Sequence, residues 1–413
     1  MNISEGGITS ARGFLAASCE ANIKYKGRTD MAMVFSAAPC AAAGVFTSNQ
    51  VKAAPVLWDR EIVNTSGTAQ AVIVNSGIAN AATGQAGLDL CRKTAEAAGA
   101  ILKIPAKSVL IGSTGVIGPL LPLDRLVAGT EKLAAALSDT PEAGTAASKA
   151  IMTTDTVNKE CAVRFELPAA SGEGTVTVTL GGMSTGSGMI HPNMCTMLAY
   201  LATDCAVDRR LLQKAVAEVV KDTFNMISVD GDTSTNDTLL VLANGLACNQ
   251  PINTEDESYA LLKEALFNVC RELAMKMAAD GEGATHLVEM QVVNADTKEN
   301  ARILARAVVS SSLVKAMIYG KDANCGRILC ALGYAGPAFD PSAIELFLEG
   351  KEERVIFYTD GRVQEFDEDK ALNILSEPTV RFLCDMHMGN QEATAWGCDL
   401  TYDYVKINGD YRS

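Results

Sequence analysis

The sequence predicts an α/β protein with packed sheets. Two observations carry this expectation. Short apolar runs with strand character interleave with longer amphipathic segments along all 413 residues. No apolar run reaches the roughly 18 residues that a membrane-spanning helix requires.

The elements follow in order. Residues 1–50 read as β-rich with turns, with strands at Lys24-Tyr25-Lys26 and Met31-Ala32-Met33-Val34-Phe35 around Gly27. Ala71-Val72-Ile73-Val74-Asn75 is a buried strand, 86–101 an Ala-rich helix, and Val109-Leu110-Ile111 a strand entering Gly112. Helices follow over 124–137 and 142–152. Residues 161–166 and 175–180 alternate as two strands around Ser171-Gly172-Glu173-Gly174, a hairpin pattern. A helix runs from about Arg209 to Asn225. Residues 255–279 form a long helix whose apolar face carries Leu261, Leu262, Leu266, Val269, Leu273 and Met277. Residues 287–293 form a strand and 299–318 a helix. A smaller α/β unit closes the chain, with strands over 343–348, 355–358 and 393–408. The domain boundary is expected near residue 290.

Composition bounds the function. The chain is 48% hydrophobic and 20% charged, an ordinary globular balance. The net charge of −14 disfavours nucleic acid and anionic membranes as partners. The first residues lack a basic and apolar leader pattern, so no signal peptide is expected. Twelve cysteines without a Cys-x-x-Cys pair fit reduced thiols in a cytoplasm. Three histidines, His191, His286 and His387, leave little room for a Ser-His-Asp base or a zinc set, and no metal site is expected. There is no Gly-x-Ser-x-Gly elbow, phosphate loop or dinucleotide fingerprint. Asp230-Gly231-Asp232-Thr233-Ser234-Thr235-Asn236-Asp237 superficially suggests a calcium loop, but it lacks the Gly at position six and the acid at twelve. It reads better as an acidic loop stitched by Asx-type hydrogen bonds.

These exclusions leave a nucleophile that carries its own base. Residues 181–188 are small and permissive, and Pro192 precedes Thr196 at the head of an apolar segment. If the Cys195–Thr196 bond breaks, Thr196 gains a free α-amine beside its hydroxyl, with a pKa of about 8. The alternative is a glycine-rich loop ending at a buried Thr. Gly112-Ser113-Thr114-Gly115-Val116-Ile117-Gly118 follows a strand, and such a turn can aim N–H groups and the Thr114 hydroxyl at one oxyanion. The alternative there is a plain strand-to-loop turn. Three further clusters combine small polar residues with apolar flanks: Thr153-Thr154-Asp155-Thr156 with Lys159, Asp280–Thr285, and the tail Tyr404–Ser413. Each is open to a capping or turn explanation. Glu282, between two glycines, suits a ligand's ammonium group.

Together these segments resemble the ArgJ family, the glutamate N-acetyltransferases or ornithine acetyltransferases of arginine biosynthesis. The resemblance covers nearly the whole chain. It includes Gly6-Gly7-Ile8-Thr9, 51–56, Val74-Asn75-Ser76-Gly77 with Ala79-Asn80-Ala81, 113–118, 153–156, 186–194, 229–237 and 392–408. It implies self-cleavage between Cys195 and Thr196, giving chains 1–195 and 196–413 that assemble as an α2β2 heterotetramer. It implies a four-layer α/β/β/α sandwich of the DmpA/ArgJ type, similar to N-terminal nucleophile enzymes. That catalytic domain would span 1–290, followed by an α/β domain, 291–413, whose tail returns to the active site. Thr196 would take acetyl from N-acetylornithine, release ornithine and pass the acetyl group to glutamate. Thr114 and Gly115 would form the oxyanion hole. Thr153, Thr154, Thr185, Thr196, Glu282, Asn408 and Ser413 would contact substrate. No cofactor is implied, and acetyl-CoA would enter only as a substrate of a bifunctional enzyme.

Two departures from the family pattern stand out. Thr185 occupies the place of a substrate-binding Lys, a change worth about 1.5–3 kcal/mol if a charge-assisted hydrogen bond is lost. Lys159 is a candidate replacement. Cys195 stands where Ala is usual; it is small, and cleavage is expected to survive. Ile78 and Pro119 are minor departures. The competing readings are a DmpA-like aminopeptidase or amidase, and a weakened metabolite-binding paralogue motivated by Thr185.

Overall fold

The computed structural model describes residues 3–191 and 197–410. They divide into two compact units, one of Met1–Gly186, Pro192–Phe224 and Thr233–Leu273, the other of Ser187–His191, Asn225–Asp232 and Ala274–Ser413. Residue 290 lies inside a strand, Leu287–Ala295, whereas the division into units passes through the helix Glu257–Ala279.

The chain opens with β1 (Ile3–Ser4), β2 (Phe14–Cys19), β3 (Met31–Phe46), α1 (Ala54–Asn64), β4 (Thr68–Asn75), α2 (Gly84–Leu102) and β5 (Val109–Ser113). It continues with α3 (Leu123–Ala135), α4 (Pro141–Ala150), β6 (Lys159–Pro168), β7 (Thr175–Thr185), β8 (Leu198–Thr203) and α5 (Arg209–Val219). Next come β9 (Ile227–Ser228), β10 (Thr238–Ala243), α6 (Glu257–Ala279), β11 (Leu287–Ala295), α7 (Lys298–Ser310), α8 (Ser312–Tyr319) and α9 (Cys325–Tyr334). The chain finishes with β12 (Glu345–Glu349), β13 (Arg354–Thr359), β14 (Arg362–Val363), α10 (Glu368–Leu375), β15 (Thr379–Asp385), β16 (Gln391–Cys398) and α11 (Tyr402–Gly409). The class is mixed α/β with two sheets.

The first unit holds a sheet in the order β1-β6-β7-β8-β10-β3-β4-β5, with β2 also paired to β3. Alternation explains why its strands read as continuous apolar runs. Met31, Met33, Ala71, Ile73, Val109 and Ile111 pack with Cys91 and Ala95 of α2 and Leu126 of α3. The intervening Ala32, Val34, Val72, Val74 and Leu110 pack with Ala147 and Ala150 of α4. Both faces are therefore buried. β8 runs parallel to β10 and antiparallel to β7, and every residue of it is buried.

The second unit holds a sheet in the order β14-β13-β12-β15-β11-β16-β9. Here β11 alternates, with Val288, Met290 and Val292 buried. α7 buries Ala301, Leu304, Ala305, Val308 and Val309, one helical face.

Four local expectations are corrected. Lys24–Lys26 is a loop, because the Asp30 carboxylate accepts the Ala21 and Ile23 N–H groups at 2.7 and 2.6 Å and closes the β2–β3 connection. The helix expected over 299–318 breaks at Ser311, whose extended backbone and hydroxyl cap α8 through Val314 N–H at 3.4 Å. The helix from Arg209 is regular only to Val219, after which 3-10 turns carry the chain. Residues 402–408 are helical, not strand. β16 ends at Cys398, and the next residue, Asp399, turns its carboxylate to Thr285 N–H at 2.8 Å and His286 N–H at 3.1 Å.

Candidate active site

In the first unit, β5 delivers the turn that bears Thr114 and Gly115. The turn is held against residues 75–81: Thr114 N–H donates to Asn75 O at 3.0 Å, Val116 N–H to Gly77 O at 3.1 Å, and Ala79 N–H to Val116 O at 3.0 Å. Asn236 fastens it, its side-chain amide donating to Ser113 O at 2.7 Å and Ala79 O at 2.6 Å. Ser113 Oγ donates to Asn75 Oδ1 at 2.7 Å. Gly115 has φ +125°, and a Cβ there would lie 2.3 Å from the Gly77 carbonyl carbon, so only glycine fits. Among the described residues, the Gly115 N–H and the Thr114 hydroxyl have no hydrogen-bond partner. Two adjacent donors on a braced turn are what a developing oxyanion needs.

Asp155 organises a second cluster in this unit. Its Oδ1 accepts from the Lys159 ammonium at 2.6 Å and from Gly186 N–H at 2.9 Å. Its Oδ2 accepts from the Thr185 hydroxyl at 2.8 Å and Thr153 N–H at 3.0 Å. Burial works to raise this carboxyl, but the Lys159 charge and the Gly186 N–H outweigh it and hold the group below its usual range. Lys159 and Asp155 side chains are both 0% exposed. Lys159, the candidate replacement for the family Lys, is thus buried as the counter-ion of Asp155. Thr185 is 2% exposed, and its hydroxyl is given to Asp155. Thr153 and Thr154 are partly exposed.

The second unit gathers Glu282, Asn408, Asp230 and Tyr404. Asn408 Nδ2 donates to Glu282 Oε2 at 2.7 Å, leaving Oε1 open. Helix α11 brings Tyr404 and Asn408 to one face, four residues apart. Glu282 is 7% exposed, and its N–H donates to Ser187 O at 2.9 Å. At Gly188 a Cβ would lie 2.3 Å from the Glu282 carboxyl carbon, so a side chain there would displace the carboxylate.

The histidines are otherwise engaged. His191 Nδ1 lies 3.0 Å from Ser228 Oγ, and burial together with the Arg306 charge pushes its pKa down to about 4, so it is neutral near pH 7. His286 pairs with Asp399 at 3.1 Å. His387 lies 3.1 Å from Glu345 and 3.4 Å from Asp385, and these three residues are near enough to share a cation. The sequence pattern misses this group because β12–β15 pairing sets Glu345 opposite Asp385 across 40 residues of chain. In the 230–237 loop, the Asp230 carboxylate accepts Asp232 N–H at 3.1 Å, an Asx-type turn as expected.

Cys195, Thr196 and Ser413 lie outside the described residues. Met197, next in the chain, accepts Thr238 N–H at 2.8 Å as β8 begins beside β10.

Residues 15–413 match the ArgJ family profile. The chain belongs to the ArgJ family. It is 50% identical over 410 residues to the arginine biosynthesis bifunctional protein ArgJ of Symbiobacterium thermophilum, covering 99% of both chains. The Thermotoga neapolitana ArgJ protein is 48% identical over 404 residues, 97% of this chain and 99% of its own. A solved Bacillus halodurans ArgJ structure matches at 41% identity with a TM-score of 0.49, over 51% of this chain and 97% of that one. No described helix is long and apolar enough to cross a membrane.

Proposed function

We propose that this chain is an autoprocessed glutamate N-acetyltransferase that moves acetyl from N-acetyl-L-ornithine to L-glutamate through an acetyl-Thr196 ester. The observation that carries this reading is the full-length relationship to ArgJ proteins, 50% identity over 99% of both chains. The Thr114–Gly115 donors supply its electrostatic part. The Thr196 hydroxyl attacks the acetyl carbonyl while the Thr196 α-amine takes the hydroxyl proton. Thr114 and Gly115 receive the oxyanion. The C–N bond breaks, the proton passes to the leaving amine, and ornithine departs. The glutamate amine then attacks the ester and frees the threonine hydroxyl. Glu282, oriented by Asn408, takes a substrate ammonium. Thr153, Thr154 and Ser413 are assigned substrate contacts, while Thr185 holds Asp155 beside the Thr153 backbone.

The same reading has chains 1–195 and 196–413 staying together as α2β2 in the cytoplasm. It needs no cofactor and involves no nucleic acid or membrane, and acetyl-CoA is a second donor if the chain shares its relatives' bifunctional character. Incubation with N-acetylornithine and glutamate tests it: N-acetylglutamate forms much faster than free acetate. Dominant acetate points instead to an amidase.

A second reading, a weakened paralogue, rests on Thr185 being committed to Asp155 where the family carries a cation. T185K separates the two. A gain in kcat/KM below about fivefold, under 1 kcal/mol, fits a complete site, and a gain above tenfold fits a weakened one.

A further inference from the structure

No two histidines or cysteines stand at ligand spacing in the sequence, yet the second unit assembles a mixed ligand set from separate parts of the chain. Glu345 opens β12 and Asp385 closes β15, and the antiparallel register sets them directly opposite each other. His387 follows in the turn to β16, its N–H donating to Asp385 Oδ1 at 3.0 Å. Its ring lies between the two carboxylates, with Nε2 3.1 Å from Glu345 Oε2 and Nδ1 3.4 Å from Asp385 Oδ1. The other oxygen of each carboxylate is tied back from outside the group. The Thr359 hydroxyl donates to Glu345 Oε1 at 3.2 Å, and Asn294 Nδ2 donates to Asp385 Oδ2 at 2.8 Å. Oε2 and Oδ1 are thereby left facing the imidazole, and outer partners that orient ligand atoms in this way accompany metal centres. Like charges directly opposite on paired strands repel. Among the described residues no lysine or arginine pairs with either carboxylate. An imidazolium answers one of the two negative charges, and a divalent ion answers both.

We propose that Glu345, Asp385 and His387 bind a divalent transition metal of the zinc class, which clamps the β15–β16 turn to β12. One ligand atom from each of the three residues lies within 4.8 Å of the others. Ligands around a tetrahedral zinc stand about 3.3 Å apart, so the set draws in by about 1.5 Å at most. The His387 side chain is 46% exposed, which gives it room to move and the ion a path in. The donors select the metal. Magnesium and calcium take all-oxygen shells, and Cu(I) takes thiolates and thioethers, whereas one imidazole with two carboxylates suits a borderline divalent ion. Three protein ligands leave a position for water. None of the three residues is assigned to substrate, and the metal takes no part in acetyl transfer.

Full-length protein is stripped with a chelator and its accessible thiols are alkylated, because the exposed Cys248 and Cys330 are rival zinc ligands. ZnCl2 is then titrated in by calorimetry, with MgCl2 in parallel. Wild type takes up one Zn2+ per chain, and Mg2+ gives no comparable binding. H387A and E345Q each weaken Zn2+ binding by about tenfold or more, the loss of one ligand in three. Both side chains are partly exposed, so the two variants keep the wild-type melting temperature in chelator, and E345Q alone carries the test if H387A does not fold. Amide hydrogen exchange in the turn between β15 and β16 slows with Zn2+ in wild type and not in the variants. No uptake by wild type overturns the proposal, as does unchanged uptake by E345Q and H387A, or protection that appears only elsewhere in the chain. The three residues are then an ion pair of protonated His387 with its carboxylates. Equal binding of Mg2+ overturns the assignment to a transition metal.

Discussion

Gly115→Ala tests the oxyanion turn most sharply. At φ +125°, a Cβ on residue 115 would meet the Gly77 carbonyl carbon at 2.3 Å and its oxygen at 2.5 Å. Ordinary contact begins at 3.4 Å, so the turn must open by roughly one ångström. It cannot do so freely, because Val116 N–H to Gly77 O at 3.1 Å and Ala79 N–H to Val116 O at 3.0 Å zip the same two strands of chain together. A donor useful to an oxyanion sits within a few tenths of an ångström of about 2.9 Å, and the shift carries the residue 115 N–H out of that window. Loss of one such donor costs about 3 kcal/mol in the transition state, a fall in kcat of roughly 100-fold or more. Self-cleavage uses the same donors in this account, so uncleaved chain accumulates as well. The assay is kcat for acetyl transfer on the cleaved fraction, with melting to show that the fold survives. A folded, cleaved G115A with kcat within threefold of wild type refutes the assignment.

Three further outcomes are expected. K159M strands the buried Asp155 carboxylate and costs about 3–5 kcal/mol of stability, read by denaturant unfolding, whereas a change under 1 kcal/mol contradicts the buried pair. Asp59 is fully buried, with Oδ1 on Ile111 N–H at 2.8 Å and Oδ2 without a partner among the described residues, and burial holds its carboxyl well above the usual range against that N–H. A carboxyl raised on folding contributes fully below its unfolded value of about 3.9 and loses that contribution as pH rises toward the folded value. The Tm advantage of D59N over wild type therefore grows from pH 4 to pH 8, and a constant difference contradicts it. E282Q raises KM by about tenfold or more, the scale of one charge-assisted hydrogen bond, while Tm moves by only a few degrees; an unchanged KM removes Glu282 from substrate binding.

The chemistry of the first unit was legible where it is local. Val109-Leu110-Ile111 running into glycine announces β5 and its turn, and Gly115 occupies a backbone region closed to other residues. The Asp155 cluster was only half legible. Asp155 and Lys159 are four residues apart, but Thr185 joins them only because β6 pairs with β7 in a register that sets Lys159 opposite Ser184. That register is not encoded in any window of residues. The tail misled for a related reason. Tyr402-Asp403-Tyr404-Val405-Lys406-Ile407 is rich in aromatic and β-branched residues, as strands are, yet the Asp230 and Glu282 contacts of Tyr404 and Asn408 need a period of four. β8 and β10 are short apolar runs without periodicity, a pattern that fits a buried strand and a helix equally well. Asp230 could be seen as an acidic loop residue but not as the anchor of Met189 and Ile190, 41 and 40 positions upstream.

The central claim is that Thr196 is freed by self-cleavage and then carries the acetyl group. Intact mass of the purified, denatured protein tests it most directly. The account predicts two species, 1–195 and 196–413, and an increase of about 42 Da, one acetyl group in place of a hydrogen, on the second after brief exposure to N-acetylornithine without glutamate. A single uncleaved chain with full transferase activity would contradict it.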